Sequence, residues 1–378
     1  MTSRHCNPSE CSTRGNGDYT FAAPYHFAIL AINTGSTSTK IALYHDEKAV
    51  VECSLAHTTE QIARFATTEE HLQWRKELII EALKEHNVDL ATLSTVIGRG
   101  GLLRPVESGI YEVSEEMCDE LRHCTPQHAS NFSAIIALEI AKSLDIKAYI
   151  ADPIVVDERD EVAKLTGIKE IRRRSIFHAL NQKATARIYA ADMEQRYEDL
   201  NLIVAHMGGG VSVAAHSKGR VIDCNNALDG EGPVAPERAG SIPAGELVDL
   251  CFSGKYTHKE IRALLSGKGG LVSLTGKNSV KELVEEAQAG NTESKQAIDL
   301  MIYGIVKNIG QMATVLKGNI DAIILTGGIA YSKYITDAIA DSCRFLAPIA
   351  IYPGENELQS LAMNALRMLR GDAEAKTY

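Results

Sequence analysis

"LIVAHMGGGVSVAAH", residues 202–216, sets three consecutive glycines between two apolar runs. Glycine loosens an extended chain and fills no core. A triplet inside strand-like sequence therefore points to a bend that something bulky and charged must approach. After the glycines, Val211 and Val213 alternate with smaller or polar residues as a strand does, and no helix opens there. A dinucleotide fingerprint would begin a helix at its glycine loop, so that reading is disfavoured. Residues 27–45, "FAILAINTGSTSTKIALYH", have the same organisation of strand, Gly/Ser turn and strand.

Two further pairs follow in the same order. "STVIGRGGLL" (94–103) and "AIILTGGIAY" (322–331) each place an apolar strand before two glycines. "IKAYIADPIV" (146–155) and "APIAIYPGEN" (347–356) each end a short apolar strand near proline and an acidic group. One such pair could arise by chance in any α/β protein; three in order favour an internal duplication. Helices are expected between them. Leu72, Ile79, Ala82 and Leu83 share a helical face, as do Ile298, Met301, Ile302, Ile305, Ile309, Met312 and Leu316.

The 378 residues exceed one ordinary core, which suggests two domains. A net charge of −10 argues against a general nucleic-acid or membrane-surface binder. No apolar run reaches membrane-spanning length. Residues 1–26 lack the apolar block of a signal peptide and are read as a disordered extension or a misassigned start, so a cytoplasmic location is expected. The eight cysteines form no C-x-x-C and are expected to be mostly reduced. "HCTPQH" (123–128) has no standard metal-ligand spacing, and "GLVSLTGKN" (270–278) departs from a P-loop in glycine spacing and in its Lys-Asn end.

Two similar α/β halves facing each other would enclose a cleft, and each would offer it a Gly-rich hairpin turn. Turn backbone N–H groups make anion-binding concavities, and glycine admits phosphate oxygens. Gly208, Gly209 and Gly210 are thus expected to cradle phosphates. "NTGSTSTK" (33–40) would do likewise, with hydroxyls and Lys40 as added donors, while "LTGGIAYSKYI" suits a nucleoside end.

The motifs "INTGSTSTK", "VIGRGGLL", "HASNF", "ADPIVVDE", "RRSIFHALN", "HMGGGVSV", "PERAGSIP", "LTGGIA" and "PGENE" together resemble the acetate and sugar kinase, Hsp70 and actin superfamily. Within it the resemblance is closest to the butyrate kinase branch of the acetate kinase family, and it runs from about residue 28 to 370. It implies two duplicated ribonuclease H-like domains with an interdomain nucleotide cleft. Residues 27–152 plus 355–378 would form the first domain, and 153–354 the second. The implied reaction is reversible transfer from ATP to a short carboxylic acid, giving an acyl phosphate and ADP. Magnesium is the implied metal, and a homodimer the implied assembly.

By the same resemblance, Asn33, Ser36, Ser38 and Lys40 would lie near the transferred phosphate. His206 and Gly208 to Gly210 would serve the nucleotide phosphates, and Gly327 and Gly328 the nucleoside. Asp152 and Glu357 would organise the metal, with Glu355 competing for the second place. His178 and Arg238 would face the phosphoryl group. Where acetate kinases have Arg-x-x-His-Gly-Gly, this chain has "VIGRGG", which puts Arg99 in the histidine's place; where they have "LGNG", it has "MGGG". Both changes point away from acetate.

The chemistry agrees with these residue types. A guanidinium fork suits phosphoryl oxygens. A carboxylic acid is already ionised at neutral pH, so its kinase needs cations around the acceptor rather than a base. Each residue also has a plainer reading. Asp152 could initiate a turn before Pro153, Arg238 could pair with Glu237 or Glu231, Arg99 could make a structural ion pair, and His178 could cap a helix. The run "RRR" (172–174) reads as a solvated face. Rival functions are an acetate or propionate kinase, a sugar kinase with Asp152 as base, and an Hsp70- or actin-like ATPase.

Overall fold

The computed structural model describes residues 25–35, 38–124 and 127–378, together with the backbone of Cys11 and Ser12. Ser36 and most of the expected N-terminal extension lie outside the described residues. The chain divides into two compact units, residues 1–155 with 356–378, and residues 156–355.

The first unit carries strands β1 (Cys11–Ser12), β2 (Ala28–Thr34), β3 (Ser38–His45), β4 (Lys48–Ala56), β5 (Thr95–Arg99), β6 (Ile110–Glu112), β7 (Ala148–Ala151) and β13 (Ala375–Lys376). The second carries β8 (Asn201–Met207), β9 (Val211–Ser217), β10 (Arg220–Cys224), β11 (Ala322–Gly327) and β12 (Ile349–Pro353). The sheet orders are β1-β4-β3-β2-β5-β7-β6-β13 and β10-β9-β8-β11-β12. The run β4-β3-β2-β5-β7 repeats as β10-β9-β8-β11-β12, with an antiparallel hairpin first and parallel neighbours after it. The three sequence pairs are therefore the hairpins β2–β3 and β8–β9, then β5 and β11, then β7 and β12. Both sheets follow one duplicated α/β plan.

Burial explains the sequence pattern. Every residue of β2, β8 and β11 is buried, as central strands covered on both faces require. On β8, Ile203, Ala205 and Met207 join the core under helix Thr292–Val315. Leu202 and Val204 point the other way, onto Ala186 and Ala190 of helix Ala179–Asp192. The β9–β10 hairpin turns on Lys218 (φ 51°) and Gly219 (φ 84°), a two-residue turn that matches strand twist. In the first unit, helices Asn131–Ser143 and Glu357–Leu369 both pack against β2 and β5.

Cys11 and Ser12, within the segment read as a disordered extension or a misassigned start, pair with the edge strand β4, whose outer backbone groups offer hydrogen bonds to any extended segment. One expectation is corrected: the "RRR" run is not simply solvated. Arg173 is half-buried and donates to Asp223, Glu231 and the carbonyls of Ala163 and Cys224, whereas Arg172 and Arg174 are exposed. Cys53 is disulfide-bonded, while Cys118, Cys124, Cys224, Cys251 and Cys343 are free thiols. Among the described residues, no helix is long and apolar enough to cross a membrane.

Candidate active site

In the second unit the turn 208–210 links β8 to β9 and is closed by Gly208 N–H donating to Gly210 C=O at 3.0 Å. Gly209 is exposed, and a side chain there would meet nothing within 4 Å. Gly208 is buried beside the carboxylate of Glu355 and the imidazole of His206. The turn opens on a cavity of about 350 Å³ shared with Gly328, Ile329, Glu237 and Asn278. Gly327 must be glycine on two counts. Its backbone lies at φ 88°, ψ 173°, and a Cβ would sit 2.4 Å from the Met207 carbonyl oxygen. After it, Gly328–Tyr331 make one 3₁₀ turn and the chain enters helix Lys333–Cys343.

Beneath the turn the rings of His178 and His206 stack, with centroids 3.8 Å apart and planes 13° off parallel. His178 Nδ1 shares a hydrogen with Ser212 Oγ at 2.8 Å, and His206 Nδ1 with Asn181 Oδ1 at 2.7 Å. His206 Nε2 lies 3.3 Å from Glu355 Oε1, within ion-pair distance but outside hydrogen-bond alignment. Sequence reasoning did not single out Glu237, Asn278 and Ile329 as site residues, although each lies in a segment it quoted. The P-loop-like segment brings Asn278, not its lysine, to the cavity, since Lys277 is tied to Glu282 and Glu286.

Arg238 follows Pro236 and Glu237, which both line that cavity. Its backbone bridges to Ala235 and Ser266, and Gly270 packs tightly against it. The plainer ion-pair reading does not hold. Glu231 is engaged by Arg173 and Glu237 accepts from Asn278 Nδ2 at 2.9 Å, while Arg238 donates only to the Glu237 carbonyl among the described residues. Its Nε is buried without a partner, and burial pulls the guanidinium below its ordinary range. A half-buried cation held this way is ready for an anion.

In the first unit, β2 delivers Asn33 and β5 delivers Arg99 to one carboxylate. Asn33 Nδ2 donates to Glu357 Oε2, and Arg99 Nη1 lies 3.3 Å from Glu357 Oε1. Glu357 opens helix Glu357–Leu369, where the helix N-terminus favours a negative charge. Asn33 Oδ1 is buried with no hydrogen-bond partner. A carboxylate beside an orphaned amide oxygen is a hard donor pair, and that chemistry fits magnesium. Glu355 and Glu357 thus separate. The first adjoins His206 and Gly208, the second Asn33 and Arg99.

Asp152 sits between β7 and Pro153 as expected, but it is 2% exposed rather than open to solvent. Its backbone is at φ 41°, and its Oδ1 accepts from Ser108 Oγ at 2.5 Å and Gly109 N–H at 3.0 Å. Lys40 is exposed on β3, in register with Asn33, and Ser38 closes the turn by accepting from Gly35 N–H at 2.8 Å.

The residue that sequence reasoning missed here is Arg75. Fully buried, it donates from Nη1 to Gly35 O, Ser38 O and Thr39 Oγ1 at 2.8, 3.2 and 3.1 Å, and from Nε to His71 Nε2 at 2.9 Å. It clamps the Gly35–Ser38 turn from below. Burial and the Arg75 charge push the neighbouring imidazoles of His57 and His71 down to about 4.

The chain matches the Acetokinase family over residues 161–359. Butyrate kinase 1 of Clostridium acetobutylicum is 51% identical over 353 residues, which span 93% of this chain and 99% of that protein. Butyrate kinase 2 of the same organism is 50% identical over the same shares. Among solved structures, Porphyromonas gingivalis acetate kinase superposes with a TM-score of 0.76 at 18% identity, covering 91% of this chain and 100% of that one. Acetate kinase from Entamoeba histolytica does so at 0.71 and 19%, covering 88% and 97%. These two speak for the fold. Half-identity to the clostridial enzymes along almost the full length of both chains, on the duplicated sheet plan of the solved kinases, places the chain in the acetokinase family.

Proposed function

We propose that the chain is a kinase that moves the terminal phosphoryl group of ATP onto a short-chain carboxylic acid, butyrate or isobutyrate, to give an acyl phosphate and ADP. The observation that carries this reading is Arg238, a half-buried guanidinium with no carboxylate partner among the described residues, directly after two residues of the Gly208–Gly209 cavity. Phosphoryl transfer asks for positioning and charge neutralisation. The Gly208–Gly210 turn binds nucleotide phosphates through bare backbone, with Gly327 and Gly328 admitting the nucleoside. Arg238 and His178 receive the charge of the transferring group. Arg99 holds the acid's carboxylate, and Asn33, Ser36, Ser38 and Lys40 border the phosphate. We read residues 27–152 with 355–378 as the acid-binding domain and 153–354 as the nucleotide-binding domain.

Asp152 and Glu357 would organise magnesium, with Asn33 Oδ1 as a further oxygen beside Glu357; the ion, when bound, would neutralise charge on the nucleotide's phosphate oxygens. An acid acceptor has a carboxyl pKa of about 4 and needs no base. A hydroxyl acceptor does, and Asp152, with one oxygen already taken by two donors, is poorly placed to be that base. The names of the clostridial relatives favour butyrate; acetate and propionate stay as the alternatives. A cytoplasmic homodimer completes the proposal. The test is kcat/KM for acids of two to six carbons with MgATP and hydroxylamine as trap. A maximum at four carbons supports the reading, a maximum at two or three supports the alternative, and no hydroxamate from any acid ends both.

A further inference from the structure

The two nitrogens of the His178 ring face different surroundings. Its Cε1 and Nε2 lie under the glycine turn, 3.7 and 4.0 Å from where a Cβ on Gly210 would stand. Its Nδ1 enters a chain of buried polar groups that runs away from the turn. Ser212 on β9 stands opposite His206 on β8 and brings its Oγ to 2.8 Å from His178 Nδ1. Gln182, one helical turn beyond His178 on helix Ala179–Asp192, reaches Ser212 O and Ser212 Oγ from its Nε2 at 3.0 and 2.8 Å. Gln182 Oε1 lies 3.0 Å from His216 Nε2, and His216 Nδ1 lies 2.7 Å from the Tyr197 hydroxyl. Ser212, Gln182 and His216 are fully buried.

The hydrogens along this chain follow from its carbonyl group. A backbone carbonyl only accepts, so the end of the Gln182 amide at Ser212 O is its NH₂ and the end at His216 is its oxygen. His216 therefore donates from Nε2. Burial holds its imidazole well below the ordinary range, so the ring is neutral and its Nδ1 accepts from Tyr197. The two hydrogens of Gln182 Nε2 go to Ser212 O and Ser212 Oγ. The backbone N–H of His178, 3.4 Å from Ser212 Oγ, is a donor as well. Among the described residues, the acceptor left for the Ser212 hydroxyl hydrogen is His178 Nδ1, and a buried hydroxyl hydrogen with no acceptor is costly.

We propose that Ser212, held by Gln182 and His216, is a positioning residue that keeps the proton of His178 on Nε2, where the ring presents an N–H beneath the glycine turn. The inference rests on the proposed function, in which His178 faces the transferring phosphoryl group. Phosphoryl oxygens accept hydrogen bonds, so a His178 ring with its hydrogen on Nδ1 would turn a lone pair towards them. Ser212 removes that form, and the stack on His206 fixes the ring plane.

The tautomer is read by long-range ¹H–¹⁵N correlation of protein carrying labelled histidine at about pH 8, above the ordinary imidazole range, with His178→Gln identifying the signal. The parent chain is expected to show a protonated Nε2 and an unprotonated Nδ1. Ser212→Ala is expected to give exchange-averaged nitrogens and to lower kcat about tenfold, with KM for MgATP and for butyrate within about twofold of the parent. Thermal melting identifies a variant that fails to fold, and the spectrum of the parent then decides. A parent spectrum with a proton on Nδ1 overturns the inference, as does a folded Ser212→Ala protein whose kcat stays within about twofold of the parent; either result leaves the proposed function standing. No transfer to any acid by the parent chain removes both.

Discussion

Gly209→Ala and Gly327→Ala separate glycines that a ligand requires from glycines that the fold requires. Gly209 is exposed, its φ is not in the left-handed range, and an added methyl meets nothing within 4 Å. Its substitution should change stability by no more than about 0.5 kcal/mol. That methyl would nevertheless stand on the turn assigned to the nucleotide phosphates, at the mouth of the cavity. Losing one close backbone contact, about 1.4 kcal/mol, raises the ADP dissociation constant about tenfold. Gly327 behaves oppositely. Its backbone at φ 88°, ψ 173° costs a non-glycine residue about 1–3 kcal/mol. Overlap with Met207, whose carbonyl oxygen would lie 2.4 Å from the new Cβ, adds about 1–3 kcal/mol. For a unit of this size the sum, about 2–6 kcal/mol at about 2–4 °C for each, lowers the melting temperature by about 4–24 °C. Calorimetric titration with ADP and a thermal melt of each variant measure both effects. A Gly209→Ala protein that melts like the parent and binds ADP as tightly refutes the phosphate-cradle assignment.

Arg238→Met removes a half-buried charge that has no carboxylate partner to strand. The melting temperature should hold or rise while kcat falls by about 10²–10³, as steady-state kinetics will read. Arg75→Met removes the donor of Gly35 O, while Ser38 O keeps Gly35 N–H and Thr39 Oγ1 keeps its bond to His57 Nε2. A loss of about 1–3 kcal/mol, the cost of a buried polar group left unpaired, is expected in denaturant titration. His57 and His71 are held down to about 4 in the folded chain, against about 6.5 when unfolded. Above pH 6.5 both states are neutral and the full stability is present. As pH falls from 6.5 to 4 the unfolded chain takes up protons that the folded chain refuses, so stability declines through that window. Melts across pH 4–7 should show the decline, and His57→Gln should make it shallower.

Much of the fold is legible because burial leaves a period in the sequence. The three repeated strand segments and the apolar stripe from Ile298 to Leu316 correspond to real elements, since each alternates or recurs with its own geometry. Arg75 shows why the rest was hidden. It lies on the same helical face as Leu72 and Ile79, a spacing that already placed a charged residue in the buried stripe. Charge nonetheless reads as surface until its acceptors, the carbonyls of a distant turn, are known. Glu355 and Glu357 could not be told apart from sequence because a strand end and a helix start within three residues send them to different neighbours. Asp152 was expected to be open, and its burial depends on Ser108 and Gly109, which lie more than forty residues away in sequence. Gly98, on one flank of Arg99, is required by close backbone approach, since a Cβ there would lie 2.5 Å from the Ser133 carbonyl oxygen.

The most direct test follows the oxygen that attacks phosphorus. The protein is incubated with MgATP and butyrate carrying ¹⁸O in both carboxylate positions, and the product is read by ³¹P NMR. The account predicts an acyl phosphate resonance with the isotope shift of one bridging ¹⁸O, formed in equal amount with ADP. ADP released at the same rate without any acid, accompanied only by unlabelled inorganic phosphate, would contradict it.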